Sequence, residues 1–262
     1  MPAILFEKKE HIAIVTMNRR DALNAMDDEM MDQLCDAWVK IRDDRDIWAA
    51  IITGAGKTAF SVGGDLKTFL PKITQSDLRD LQSDPQAAKS LVAVLRGFDL
   101  FKPVIAAVNG FCMGGGLEML LGTDIRVASE NAVFAIMEPT WALFPGGGTT
   151  VRVPRQIPYC RAMEMLLTAN QITAQEAVEY GLINKVVPRE QLMPAAMEYA
   201  EKICTNGPLA VQAIKESVLR GLALDAAYSI ERLMSMIIFS TEDAKEGPKA
   251  FMEKRQPIWK AK

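Results

Sequence analysis

The stretch Lys102-Pro-Val-Ile-Ala-Ala-Val-Asn-Gly-Phe-Cys-Met-Gly-Gly-Gly-Leu-Glu118 decides the fold. Val104 to Val108 are five consecutive apolar residues with no polar face, so a strand built from them must be covered on both sides, as in a parallel sheet flanked by helices. Asn109-Gly110 marks a turn, and Gly114 to Leu121 reads as a small helix opened by glycines. Upstream, Ile12 to Thr16 and Ile47 to Thr53 are β-branched and apolar, while residues 27 to 45 place Met30, Leu34, Trp38 and Ile41 on one helical stripe. A helix near 86 to 101 follows. Downstream, Ile125-Arg-Val-Ala and Val133-Phe-Ala-Ile are two further short strands. This alternation predicts an α/β fold class with buried, mainly parallel strands.

After about residue 157 helical signals dominate. Thr173-Ala-Gln-Glu176 is a capping box, Pro208 opens a helix that closes at Gly221, and Asp225 is placed to cap residues 226 to 239. That last segment carries Ala226, Ala227, Ile230, Leu233, Met234, Ile237 and Ile238, a wide apolar face that covers either a partner subunit or the chain's own core.

Composition narrows the function. With 262 residues the chain can bury about 73% of its unfolded surface, and 49% hydrophobic with 24% charged residues is globular rather than disordered or fibrous. A net charge of −3 supplies no overall field for nucleic acid or an anionic membrane, so an anionic ligand needs a local site. Cys35, Cys112, Cys160 and Cys204 are widely spaced and His11 is the only histidine, which argues against a zinc site and against Ser-His-Asp chemistry. No targeting or membrane segment is visible, and the expected location is cytoplasmic.

Two glycine-bearing turns end strands and bare backbone N–H groups: Phe60-Ser-Val-Gly-Gly-Asp65 and Asn109-Gly-Phe-Cys-Met-Gly-Gly-Gly-Leu-Glu118. In the second, Gly115 and Gly116 lie at a helix N-terminus, where open donors and the positive end of the dipole favour an oxyanion or a phosphate. Neither turn has the glycine pattern of a dinucleotide fingerprint or a P-loop. Glu118, in the first turns of the helix, and Glu138, in Ile-Met-Glu-Pro, are carboxylates in apolar settings. Such a pair is suited to divide acid and base work. Taken singly, each also fits a structural role: Glu118 as a dipole partner, Glu138 as a loop charge.

In combination these motifs resemble the crotonase (enoyl-CoA hydratase/isomerase) superfamily. The resemblance runs from Asn18-Arg-Arg-Asp-Ala-Leu-Asn24 through the two glycine turns and Pro145-Gly-Gly-Gly-Thr149 to Ala250-Phe-Met-Glu-Lys-Arg255. It implies a crotonase-like spiral of ββα units with a helical C-terminal trimerisation region, divided as a catalytic core over 1–200 and an oligomerisation region over 201–262. It implies an enoyl-CoA hydratase that adds water syn across a trans-2-enoyl-CoA. Gly64 and Gly115 would supply the oxyanion amides, Glu118 would activate water for attack at C3, and Glu138 would protonate C2. CoA would lie by Ala22 and Leu23, along Gly64, Asp65, Leu66 and Gly115, and against Phe251 and Lys254 of a neighbouring subunit in a homotrimer or a dimer of trimers. No cofactor or metal is implied beyond the CoA of the substrate.

The tail from Lys249 to Lys262 is locally basic, with Lys249, Lys254, Arg255, Lys260 and Lys262 against Glu253. It fits either a phosphate contact or a solvated helix. Two positions depart from the family pattern: Met137 stands where hydratases often carry proline, and Asp21 where a basic residue often approaches CoA. Met113, Trp141 and Phe144 flank the catalytic motifs, lining an acyl pocket or packing in the core. The readings set beside hydration are a Δ3-Δ2-enoyl-CoA isomerase or an acyl-CoA hydrolase on the same scaffold and, more remotely, an acyl-CoA- or RNA-binding relative, with RNA disfavoured by the acidic pI of about 5.4.

Overall fold

The computed structural model describes residues 2–65, 68, 85–141 and 143–222, with isolated positions 242, 246, 253, 255, 258, 260 and 262. Leu66, Phe251, Lys254, the side chain of Trp141 and the helix expected over 226–239 lie outside the described residues.

Strands β1 (Ile4–Lys9) and β2 (Ile12–Met17) form an antiparallel hairpin. From β2 the sheet continues in parallel through β3 (Ala49–Gly54), β5 (Val104–Val108), β7 (Ile125–Ser129) and β10 (Lys185–Val187). A second sheet is built from short strands, in the order β4 (Ala59–Ser61), β6 (Phe111–Met113), β8 (Val133–Ala135) and β9 (Ile172–Thr173). Three times in succession a long strand feeds the first sheet and the next short strand feeds the second: β3 with β4, β5 with β6, β7 with β8. That repeated step is the spiral.

The reason lies in the residues. Every residue of β3 and β5 is buried, because their Ile, Val and Ala side chains point to covered surfaces on both faces. One face packs on α1 (Asp28–Asp43), which contributes Met30, Leu34, Trp38 and Ile41, all fully enclosed. The other face, with Ile51, Ile105, Ala107 and Val127, packs on α7 (Leu192–Cys204) through Leu192, Ala195, Ala196 and Ala200. Each buried Ile, Leu or Met contributes about 1.5–3 kcal/mol, so the large core clusters supply the stability that positions the turns.

The expected stripe at 27–45 becomes α1, with Asp27 as its cap accepting from the Met30 amide at 2.9 Å. The capping box at Thr173 opens α6 (Ala174–Glu179), and Pro208 opens α8 (Pro208–Gly221) as the sequence predicts. Two expectations are corrected. The helix near 86 to 101 is α2 (Pro85–Ala93), which stops early because Leu95 and Gly97 adopt left-handed backbone with φ of 59° and 68°. Phe144 does not pack in the core, since its side chain is 74% exposed. The short helices α3 (Gly115–Leu121), α4 (Thr149–Gln156) and α5 (Tyr159–Thr168) complete the described elements. Among the described residues no helix is long and apolar enough to cross a membrane.

Side-chain amides staple the strand ends where the sheets diverge. Asn109 accepts from Gly54 N at 3.2 Å and donates to Gly56 O and Ala59 O at 3.2 and 3.0 Å. The backbones run so close there that a Cβ on Gly110 would stand 2.0 Å from the Thr58 carbonyl oxygen. Gly110→Ala is therefore expected to destabilise the protein by about 1–3 kcal/mol or more. A urea midpoint unchanged from wild type would show that this contact is not a constraint.

Candidate active site

Three chain segments meet at the open end of the short-strand sheet. The first is the turn through Ala22 and Leu23. Leu23 and Asn24 both take left-handed backbone, with φ of 52° and 56°, which turns the chain and leaves Leu23 partly exposed. Asn24 then anchors it, donating to Ala55 O at 3.1 Å and Ala59 O at 2.9 Å, while its own carbonyl accepts from Ser61 Oγ at 2.8 Å.

The second segment is the turn at 61–65, which runs parallel to the first. Met26 N donates to Gly63 O at 2.8 Å and Asp65 N donates to Met26 O at 2.9 Å. Gly64 is the residue between those two bonds, and among the described residues no group accepts from its amide. Asp65 is buried, with its carboxylate 3.0 Å from Arg19 Nη1. Arg19 also reaches Asp27, the cap of α1, at 3.1 Å. Arg19 thus ties the 61–65 turn to the start of α1, a role the sequence did not signal because Asp65 is remote along the chain.

The third is the N-terminus of α3. Gly114 caps it with φ +51° and donates to Ala135 O at 3.1 Å. Gly115 follows, and no described group accepts from its amide. The two glycine turns touch: a Cβ on Gly63 would lie 2.7 Å from Gly115 N, and one on Gly115 would lie 3.6 Å from Gly64 N. A side chain at Gly63 would push these backbones apart, whereas one at Gly115 would first meet the Met26 methyl at 2.7 Å. Two unengaged amides, one in the 61–65 turn and one at a helix N-terminus, form a donor pair suited to a developing oxyanion.

Both predicted glutamates reach this place. Glu138 opens a single-turn 3-10 helix over Glu138–Trp141 and lies over the cap of α3, its Oε1 3.2 Å from where a Cβ on Gly114 would stand. Its Oε2 is buried and has no hydrogen-bond partner among the described residues. Burial, reinforced by the nearby charge of Glu118, pushes its carboxyl up to about 7. Glu118 is one turn into α3 and 7% exposed. It accepts from Gly147 N at 2.5 Å and Thr149 Oγ1 at 3.1 Å. Burial raises its carboxyl too, and these donors oppose the rise. The Glu118 carboxylate is held by Gly147 and Thr149, whereas Glu138 has only local backbone donors and leaves its Oε2 without a partner among the described residues, which separates their proton affinities and permits a base and an acid in one site.

The remaining predicted residues are placed less directly. Asp21 is fully exposed, with Arg20 Nε 3.9 Å away, so a cation does stand beside the position where the family pattern has one. Among the described residues no group of three His, Cys, Asp or Glu side chains is arranged to hold a metal ion. Gly147 and Thr149 lie in the Pro145-to-Thr149 motif, and Thr149 opens α4, but their grip on Glu118 is a tertiary fact that spacing alone does not reveal.

The chain matches the sequence model of a family described as enoyl-CoA hydratase/isomerase over residues 7–262. It is 46% identical to enoyl-CoA hydratase EchA19 of Mycobacterium tuberculosis over 258 residues, covering 98% of this chain and 96% of that protein. It is 40% identical to the (E)-benzylidenesuccinyl-CoA hydratase of Thauera aromatica over 265 residues, covering 99% of each. Among solved structures, an enoyl-CoA hydratase from Bacillus anthracis superposes with a TM-score of 0.91 at 35% identity, covering 99% of this chain and 100% of that one. One from Mycobacterium tuberculosis superposes at 0.89 and 34%, covering 100% of both. The spiral described above is accordingly the crotonase fold.

The raised carboxyl of Glu138 has a cost that can be measured. The folded protein keeps the Glu138 proton up to about pH 7, whereas an unfolded carboxyl of ordinary value near 4.5 has already released it. The native state therefore binds more protons in that interval, and the stability contributed by this group declines as pH rises from about 4.5 to about 7. Glu138→Gln is expected to flatten that decline, making the variant more stable than wild type at pH 8 relative to pH 5. Parallel stability–pH curves for the two proteins would contradict the burial of an unpartnered carboxyl.

Proposed function

Because the chain belongs to the enoyl-CoA hydratase/isomerase family and is a hydratase-type enzyme, we propose that it adds water syn across the double bond of a trans-2-enoyl-CoA to give the 3-hydroxyacyl-CoA. The observation that carries this reading is the pair of carboxylates, Glu118 buried and Glu138 half-buried, beside the open amides of Gly64 and Gly115. Attack on an enoyl thioester develops negative charge on the thioester oxygen, and two preorganised amides meet that charge without reorganisation. One such donor is typically worth roughly 2.7–4 kcal/mol.

In this reading Glu118, held as a carboxylate by Gly147 and Thr149, takes a proton from water as the water oxygen bonds to C3. Glu138 gives its proton to C2. The proton on Glu118 then passes to solvent and Glu138 is reprotonated, so the net change is H and OH added to one face. CoA lies along Ala22, Leu23, Gly64, Asp65, Leu66 and Gly115. Phe251 and Lys254 of a neighbouring subunit complete its site, with residues 1–200 as the catalytic core and 201–262 as the region that joins subunits. The chemistry needs no cofactor beyond the CoA of the substrate, and the enzyme works in the cytoplasm.

Glu118→Gln and Glu138→Gln should each lower hydration about 10²–10⁴-fold. The assay is mass spectrometry of trans-2-enoyl-CoA thioesters, from short to long and aromatic, incubated in ¹⁸O-labelled water. Labelled 3-hydroxyacyl-CoA supports hydration; a shifted double bond without label, or free acid, would replace it with isomerisation or hydrolysis. For hydration by wild type, rate should fall on the alkaline side of about pH 7, where Glu138 loses its proton, and on the acid side, where Glu118 gains one. The alkaline limb should be missing in Glu138→Gln.

A further inference from the structure

Arg152 is half-buried behind the site and touches none of the reacting positions. It stands one turn after Thr149 on α4. Its Nη1 donates to the backbone carbonyl of Glu118 at 3.1 Å and to Val94 O at 3.1 Å, and its Nη2 donates to Leu95 O at 2.5 Å. The guanidinium runs between two glycines: a Cβ on Gly148 would stand 3.4 Å from its Nε, and one on Gly122 3.1 Å from its Nη1. Gly148 takes φ +116° to begin α4 there. The first turn of α4 therefore grips Glu118 at both ends, Thr149 on the carboxylate and Arg152 on the carbonyl, and the same cation fastens the left-handed turn at Leu95 that ends α2.

We propose that Arg152 is a positioning residue for Glu118, fixing the rotation of α3 that aims the carboxylate and placing a cation beside it. The proposal deepens the functional reading above and rests on it for the meaning of Glu118. A planar fork serves three carbonyls at once, which the point charge of lysine does not reproduce. The charge contributes as well, since Arg152 opposes the upward push of burial on the Glu118 carboxyl. The other charged groups around Glu118 are Glu138, on the 3-10 turn, and Arg96, after α2. Arg96 donates to Gly146 O and bears on Arg152. Gly147 and Thr149 are neutral donors.

The test separates charge from geometry. In full-length protein labelled with ¹³Cδ-glutamate, the Glu118 signal is identified by its loss in Glu118→Gln and titrated in wild type, Arg152→Lys and Arg152→Met. Arg152→Met should shift the Glu118 titration to higher pH and move the acid limb of the rate profile with it. Arg152→Lys should titrate close to wild type while kcat falls about ten- to a hundredfold with little change in KM, as a misaimed base requires. A folded Arg152→Met that titrates as wild type would overturn the proposal. Should that variant fail to fold, a wild-type kcat in Arg152→Lys would overturn it instead. Full hydration by Glu118→Gln would sink the base assignment alone, because the titration reads the link between Arg152 and Glu118 without reference to turnover.

Discussion

The contact on which the site depends is one between two backbones with no side chains between them. The 61–65 turn and the N-terminus of α3 meet at Gly63, Gly64 and Gly115, close enough that a Cβ on Gly63 would lie 2.7 Å from the Gly115 nitrogen. Both amides stay open only because each turn is already satisfied elsewhere: the first through its bonds to Met26, the second through the Gly114 amide on Ala135 O. The buried sheet holds β4 and β6 side by side, and these strands deliver the two turns to one place. Packing energy from residues far from the chemistry is thereby converted into the placement of two donors.

Around that pair the polar groups form an outer frame. Arg19 joins Asp65 to the cap of α1, Asn24 and Asn109 tie the strand ends to one another, and the first turn of α4 closes on Glu118. The two asparagines satisfy backbone carbonyls where the sheets diverge, while Arg19 and Thr149 hold carboxylates. The frame is rigid on the side of Glu118 and open on the side of Glu138.

How much of this the sequence discloses follows from the range of the interactions. The run Val104 to Val108 can be read as a doubly covered strand because burial on both faces leaves a local mark, and the structure encloses all five residues. Thr173 and Pro208 are equally local signals and mark helix starts correctly. Glu118 and Glu138 were visible as charges in apolar surroundings, and their convergence rested on the family resemblance. The early end of α2 was hidden because Leu95, unlike glycine, gives no hint of left-handed backbone. Arg19 and Arg152 were hidden for another reason. Their partners lie 46 and 58 residues away at Asp65 and Val94, and a basic residue on an amphipathic segment looks the same whether it meets water or a carbonyl.

The unequal treatment of the two carboxylates also bears on how such a scaffold can change its trade over evolutionary time. Replacing Glu118 strands Gly147 N, the Thr149 hydroxyl and the buried side of α4 together, so innovation there demands several coordinated substitutions. Glu138 stands on a single short turn, its Oε2 has no partner among the described residues, and a substitution there strands no remote side chain. Hydrogen bonding thus leaves residue 138 the more replaceable of the two and Glu118 the more constrained.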